Sequence, residues 1–187
     1  MQEDVDMYIE EAKEAMEHAL DHLKKELVKI RAGKASPDML SGLVVPYYGS
    51  PTPLAQVANV SVSDSRTLVI QPWEKSMIQP IEKAIMEANM GFTPQNDGDL
   101  IRINIPPLTE DRRKQMVKQV KAVGEDTKVG LRSARRDAMD GIKKAVKDGF
   151  AEDAGKRMED EVEAMTKRYS GKIDDIVAVK EKDILTV

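Results

Sequence analysis

The sequence predicts an α+β fold: an elongated three-helix bundle carrying a small inserted domain. Three observations lead there. Apolar residues recur at helical spacing through residues 3–30, through 109–148 and again through 152–184. Between the first and second of these stretches, about 70 residues change to short β-prone runs divided by Gly, Pro, Asn and Asp. Charged residues make up 33% of the 187 and aromatics 4%, a balance that suits long solvated helices better than a broad β-rich core.

The first helix carries a coiled-coil-like stripe of Val5, Ile9, Ala12, Met16, Ala19, Leu23 and Ile30, with Glu26 at the skipped position and Leu27 beside it. No Pro or Gly interrupts it before Gly33 and Pro37, which do not favour continuation. The run 43–48 is β-prone up to Pro46, and Gly49-Ser50-Pro51-Thr52-Pro53 reads as a turn. Residues 57–62 alternate, with Val57, Asn59 and Ser61 on one side and Ala58, Val60 and Val62 on the other. Asp64-Ser65 turns the chain into a strand at 67–70. A helix is expected from about Ser76 to Asn89, with Ile78, Ile81, Ile85 and Met86 on one face and Gly91 closing it. Asn96-Asp97-Gly98 then turns into a last strand at 100–105.

Pro106-Pro107 breaks the pattern, and Thr109 is placed to cap a second long helix whose first turn holds Glu110 and Asp111, where the helix dipole favours acids. Its stripe is Met116, Val120, Val123, Leu131, Ala134, Ala138, Ile142 and Ala145, running to about Asp148. Gly149 marks a turn, and a third helix follows with Met158, Val162, Met165, Tyr169, Ile173 and Ile176 as its stripe and Ser170-Gly171 as a weak point. About forty residues at about 1.5 Å each make a rod roughly 60 Å long. Helices with such narrow apolar stripes are unstable alone and need one another. The expected domains are therefore a bundle of residues 1–31 and 106–187, and an α+β insert at 32–105. Two connecting segments join them, and the hinges are expected at 31–37 and 105–108: Arg31, Gly33, Lys34 and Pro37 on one side, Pro106 and Pro107 on the other. Gly33 supplies backbone freedom and the prolines stiffness.

Composition excludes several classes of function. There is no cysteine, hence no disulfide framework and no thiolate chemistry, which fits a reducing compartment. No apolar run approaches the roughly 20 residues of a membrane span, so no membrane partner is expected. The start, Met1-Gln2-Glu3-Asp4, is acidic and unlike a secretory signal or a transit peptide. The expectation is a soluble, cytoplasmic protein of bacterial type, acting as a monomer. No Gly-rich phosphate loop and no Ser-His-Asp arrangement can be placed. His18 and His22 have the i, i+4 spacing of a helical metal pair, but no Glu follows His18, and a solvated helix face is the stronger reading. Carboxylates follow the helix surfaces without singling out an acid/base pair. No catalytic residue, metal site or cofactor is expected.

The second long helix carries the informative charge. The net charge of the chain is −4, yet residues 109–148 hold 12 Lys/Arg against 7 Asp/Glu, a net of +5, and the remainder is −9. At about 100° per residue, Lys114, Lys118, Lys121, Lys128, Arg132, Arg135, Arg136, Lys143 and Lys147 fall in one sector, set well round the cylinder from the apolar stripe. A solvated helix usually mixes its signs to form i, i+4 pairs, and sorting them favours a polyanionic partner over a purely solvated face. Arginine's planar fork suits phosphate, which points to Arg132, Arg135 and Arg136, exposed on that sector with Lys128, Lys121 and Lys118 alongside. No aromatic motif for stacking single-stranded bases is present. From the residues alone three readings stay open: a helical RNA-binding or RNA-chaperone protein, a helical adaptor whose basic face is only solvated, and an enzyme. An RNA chaperone would bind isolated RNA as tightly as an assembled RNA–protein partner and leaves the insert unexplained; an adaptor would bind its partner independently of salt; an enzyme would turn over unaided.

Over essentially the whole chain, the order of segments resembles the ribosome recycling factor family. The resemblance rests on Lys29-Ile30-Arg31-Ala32-Gly33-Lys34-Ala35-Ser36-Pro37, Tyr47-Tyr48-Gly49-Ser50-Pro51-Thr52-Pro53-Leu54, Asp64-Ser65-Arg66-Thr67-Leu68, Ile81-Glu82-Lys83-Ala84-Ile85, Pro106-Pro107-Leu108-Thr109-Glu110-Asp111-Arg112-Arg113-Lys114 and Arg132-Ser133-Ala134-Arg135-Arg136-Asp137-Ala138. It implies an L-shaped, tRNA-like molecule in which the bundle carries a hinged β/α/β domain. It implies binding to the large ribosomal subunit and its rRNA after termination through the arginine-bearing helix, with the principal contacts at Arg132, Arg135 and Arg136. It also implies joint action with elongation factor G and its GTP hydrolysis, the chain itself hydrolysing nothing. Met139 and Gly141 stand where a polar residue and a lysine are common in that family, and Gly149-Phe150 and Ser170-Gly171 also depart from its pattern. These departures bear on helix regularity more than on the arginine cluster.

Overall fold

A computed structural model of the chain describes residues 1–30 and 33–186. The chain divides into two compact units, Met1–Arg31 with Glu110–Val187, and Ala32–Thr109. The first unit is built from α1 (Gln2–Lys29), α3 (Glu110–Lys147) and α4 (Glu152–Leu185), each packed against both others. The second holds β1 (Val44–Tyr47), β2 (Ser50–Pro53), β3 (Ala58–Asp64), β4 (Thr67–Pro72), α2 (Ile78–Glu87), β5 (Pro94–Asn96) and β6 (Ile101–Asn104).

In the helical unit the apolar rows meet. α1 buries Val5, Ile9, Ala12, Met16, Leu20, Leu23 and Leu27. Leu20 and Leu27 thus take the places expected for Ala19 and Ile30, because the row follows the 3.6-residue turn of a straight helix and not a strict 3.5-residue repeat. Ile30 lies beyond the helix, on extended backbone. α4 buries Val162, Met165, Tyr169, Ile173 and Ile184 and runs unbroken through Ser170-Gly171. Tyr169 is buried with its hydroxyl donating to Glu17 Oε1 of α1 at 3.0 Å, so the one polar atom it takes inward is satisfied. Burial first, and then the Glu17 carboxylate, push the Tyr169 phenol above its ordinary range.

α3 differs from its expected stripe. It buries Gly124, Thr127 and Met139 along with Val120, Leu131, Ala138 and Ile142, while Met116, Val123, Ala134 and Ala145 sit half-buried at the edge. The centre of the buried row is thereby turned by roughly 30° about the helix axis. The cause is close approach at glycine. A Cβ on Gly124 would lie 2.7 Å from Val177 Cγ2 of α4, one on Gly155 would lie 2.5 Å from Val146 Cγ2, and one on Gly141 would lie 2.8 Å from the Tyr8 ring of α1. Thr127 tolerates burial because its hydroxyl donates to the Val123 carbonyl at 2.8 Å. α3 stays continuous through Gly141, where the missing side chain makes room for Tyr8.

In the second unit, β3, β4, β6 and β5 form an antiparallel sheet in that order, and β1 and β2 form a separate hairpin. Leu68 opposes Ile103 and Ile70 opposes Ile101, all four fully buried, while Arg102 and Asn104 point out, the period-two alternation of a half-buried sheet. Ile81 and Ile85 of α2 join this core with Leu54 and Val45. Residues 50–53, expected as a turn, are strand β2; the reversal lies one step earlier, at Tyr48 (φ 47) and Gly49 (φ 81). Two consecutive residues of positive φ make the two-residue turn whose twist matches a hairpin, and Pro46 and Pro51 face each other in a ladder with no third strand. The Tyr47 and Tyr48 hydroxyls both donate to Glu74, at 2.8 and 3.0 Å, tying the hairpin to the segment ahead of α2. α2 ends with Asn89 in the left-handed region in place of the expected Gly91, and Met86, expected on its inner face, is exposed, with Met77 buried instead. β5, unexpected from sequence, fills the edge beside β6.

Both connecting segments are fastened to one turn of this unit. Ala35 N–H donates to Ser65 O at 2.8 Å and Ile105 N–H to Arg66 O at 2.7 Å. Asp64 Oδ1 accepts from Arg66 N–H at 2.9 Å within that turn, and this backbone bond holds the Asp64 carboxyl below its usual range. Gly33 has φ 72, and a Cβ on it would fall 2.6 Å from Leu108 Cγ. That packing groups residues 106–109 with the insert, whereas the sequence reading gave them to the bundle. Of the expected hinge residues, Arg31 lies outside the described residues. Pro37 is not in a linker: it opens a 3-10 turn, Pro37–Leu40, capped by Ser36 Oγ, because its fixed φ and missing N–H suit the first position of a helical turn.

The glycines of the bundle should respond with opposite signs. Gly171 is exposed, and a methyl added there would meet nothing, so Gly171→Ala should raise stability by up to about 1 kcal/mol through helix propensity. Gly141→Ala should lower it by about 1 kcal/mol or more, since the methyl must displace the Tyr8 ring. Urea titrations of the two variants check the pair; a gain at Gly141 would contradict the close packing described.

Candidate nucleic-acid interface

The basic sector of α3 exists because one long helix takes its apolar row to α1 and α4 and leaves the rest of its circumference to charge. The turn of the buried row places that sector differently from the sequence reading, which set it well away from the core. Arg135 and Lys128 lie on the flank that meets α4. Their side chains are 38% and 24% exposed, against 60% for Arg132. Arg135 donates from Nε to Glu163 Oε1 at 2.9 Å, and its Nη2 donates to the same oxygen. Lys128 Nζ lies 2.6 Å from Asp174 Oδ1 and 3.9 Å from Glu125 Oε1. The expectation that the three arginines are exposed therefore meets a partly covered Arg135, and Lys128 is placed likewise: α4 comes close enough to offer both of them carboxylates.

Around the rest of the sector pairing stays within α3 or is absent: Lys114 Nζ lies 3.4 Å from Glu110 Oε1 of its own helix. Arg132 is loosely paired, its Nη2 3.9 Å from Glu125 Oε2. Arg136, Lys118 and Lys121 are exposed and form no ion pair among the described residues. Arg135, Arg136 and Lys143 line one side of a groove of about 370 Å³ whose other side is Glu159, Asp160 and Glu163 of α4. The electrostatics of the pair are mutual. The hydrogen bond from Arg135 holds the Glu163 carboxyl below its usual range, and Glu163 holds the guanidinium above its own. Six positive groups along one helix, three of them arginines, can neutralise a run of phosphates; they supply no nucleophile or general base. His18 and His22 are exposed on α1, and no group of three or more potential metal-ligating side chains occurs among the described residues. Glu163 and Asp174 were missed by sequence reasoning. The signal was there: each directly follows a stripe residue, Val162 or Ile173, and so flanks the contact with α3.

Comparison with known proteins decides the family. The family model described as "Ribosome recycling factor" matches residues 23–185. The chain belongs to the ribosome recycling factor family. A ribosome-recycling factor of Cytophaga hutchinsonii is 55% identical over 185 residues, covering 99% of this chain and 100% of that protein. Those of Christiangramia forsetii and Flavobacterium johnsoniae are 56% identical over 185 residues and 51% identical over 187, covering 99% and 100% of this chain and all of each relative. Among solved structures, the solution structure of a ribosome recycling factor superposes with a TM-score of 0.80 at 33% identity, covering 98% of both chains. A second, at TM-score 0.65 and 40% identity over 97% of this chain and 99% of that one, is described as the Thermus thermophilus recycling factor and the Escherichia coli elongation factor G bound to the E. coli post-termination complex. The fold these structures share is the one found here, a helical bundle with a small β-containing domain.

The unequal pairing gives a test on the isolated protein. Arg132→Ala and Arg136→Ala should leave stability within roughly ±0.5 kcal/mol of the parent, as surface changes do. Arg135→Ala should lower the melting temperature slightly at neutral pH, because Glu163 loses its partner while remaining exposed enough for water to replace much of the pair. Glu163 is held below its unfolded value, so its contribution is fully present above the ordinary carboxylate range and is lost as pH falls through the lowered one. The gap between parent and Arg135→Ala should therefore close on acidification. A gap that persists unchanged at low pH would assign the loss to packing of the arginine stem.

Proposed function

We propose that this chain binds the large ribosomal subunit after termination and, with elongation factor G and GTP, promotes splitting of the ribosome, so that subunits, mRNA and tRNA are released for reuse. The observation that carries the reading is the row of exposed cations on α3, Lys118, Lys121, Arg132 and Arg136, in a chain that matches the recycling factor family along its length. Phosphate contacts dominate binding to a folded RNA, and a helix that presents arginine and lysine along one sector is suited to follow it. Arg132, Arg135 and Arg136 would supply the main rRNA contacts, with Lys128, Lys121 and Lys118 as flanking charge. The elongation factor named with the Thermus relative supports the second partner. GTP turnover stays with that partner, because the sequence lacks the Gly-rich loop that cradles a triphosphate. The chain is not itself an enzyme, uses no cofactor, and acts as a monomer in the cytoplasm.

The test is a splitting assay on post-termination ribosomes with this protein, elongation factor G and GTP, followed by light scattering. Splitting should require all three components, and the protein alone should release no phosphate from GTP. The Arg132→Ala/Arg135→Ala/Arg136→Ala variant should bind the large subunit more weakly, and its logarithmic salt slope should be shallower by about two to three. Unchanged affinity in that variant would remove α3 as the main contact.

We further propose that the unit Ala32–Thr109 turns as a body during splitting, about the two connections that join it to the helical unit. The two units have separate cores, which permits such motion, and two connections limit it to a hinge. Force applied to the small unit can reach the bundle through those connections, so their stiffness matters. Replacing both prolines, Pro106→Gly with Pro107→Gly, should leave subunit affinity unchanged and slow splitting severalfold in the same assay. Splitting at the parental rate would refute a mechanical role for this segment.

A further inference from the structure

The acids that α4 turns toward the basic sector take no part in the reading above, and one of them is placed where it must compete with RNA. Glu163 accepts from Nε and Nη2 of Arg135, two donors that could otherwise hold a phosphate together. Arg136, the next residue, is exposed and has no such partner. Arg135 differs from its neighbour in reaching α4 closely enough to bond Glu163. A phosphate that engages this edge of Arg135 must displace Glu163, exchanging one charge-assisted pair for another. A generic RNA, offering one phosphate at a time, gains little from that exchange. A folded RNA that fixes several phosphates along the line of Arg135, Arg136 and Arg132 gains from the neighbouring contacts made together, and can drive the displacement.

We infer that Glu163 is a specificity-determining residue: an internal competitor that withholds Arg135 from unspecific polyanions and yields it to a phosphate array of fixed geometry. The inference rests on the reading of α3 as the rRNA-binding surface. Specificity of this kind comes from an added cost for the wrong partner and not from a further attraction to the right one. The groove beside the pair, lined by Glu159 and Asp160 as well, adds negative potential in the same place and acts in the same sense.

Glu163→Gln separates charge from shape, since the amide keeps an oxygen that Arg135 can bond. Its binding is measured against two probes over a range of salt: a generic RNA duplex and the intact large subunit. The duplex should bind about threefold to tenfold more tightly than to the parent, with a salt slope steeper by about one, as one more phosphate contact is made. The subunit should gain less, so the ratio of the two affinities falls. In an Arg135→Ala background the same substitution should change duplex binding little. An unchanged or weakened duplex affinity would overturn the inference, and so would an equal gain in the Arg135→Ala background, which would reduce the effect to general loss of negative charge. Arg135→Ala alone, tested on the subunit, keeps the two readings apart. If it weakens subunit binding while Glu163→Gln leaves the duplex unaffected, only the competitor role falls. If it leaves subunit binding unchanged, the interface itself is misplaced and both fall.

Discussion

Everything in the helical unit depends on three narrow apolar rows having to share one core. None of α1, α3 and α4 can bury its row alone, and a helix this long with a stripe this thin gains its stability from its neighbours. The rows settle against one another where side chains are smallest. Gly124, Gly141 and Gly155 are the points at which a methyl group would already be too much, and two of the three lie between α3 and α4. That approach fixes the rotation of α3 about its own axis, and with it the direction in which every charged residue on the helix points.

The charge pattern of the proposed interface is therefore a consequence of packing. Had α3 been turned as its obvious aliphatic residues suggest, Arg135 and Lys128 would stand clear of α4. In the rotation adopted they flank the contact, and Glu163 and Asp174 reach them. Surface ion pairs of this kind add little to stability, because water already solvates the partners well. Their larger effect is on what the cations can do next. A paired arginine is available only to a ligand that displaces its carboxylate, while the open Arg136, Lys118 and Lys121 answer to any polyanion.

The inserted unit obeys a different constraint. Its sheet and its single helix close on a core of their own, around Leu68, Ile70, Ile81, Ile85, Ile101 and Ile103. The chain enters and leaves beside one turn, where Ser65 and Arg66 accept the backbone N–H groups of Ala35 and Ile105. Gly33 and Leu108 pack against each other at the same place, so the two connections are bound together within the unit. A domain held in this way can be moved as one piece, which is what the proposed mechanism requires of it.

The sequence by itself determined the class of fold and the segments that compose it. Helical periodicity marked α1, α3 and α4 to within a residue or two, since long amphipathic repeats leave few alternatives, and the motif order carried the family. The basic character of α3 was equally legible, because charge is a property of composition. What only the tertiary structure decided was anything that depends on a neighbour. Strand β5 and the strand character of 50–53 come from pairing with the adjacent strand, which overrides the turn chemistry of Pro and Gly. Leu20 and Leu27 in α1, and Met139 in α3, are buried because of where the other helices lie. Arg135 and Arg136 are adjacent and chemically identical, and no local rule distinguishes them. One bonds Glu163 of α4, 28 residues away, and the other, on the rim of the same groove, stays exposed. The contact that sets them apart exists only once two helices have been brought together by apolar surface elsewhere on each.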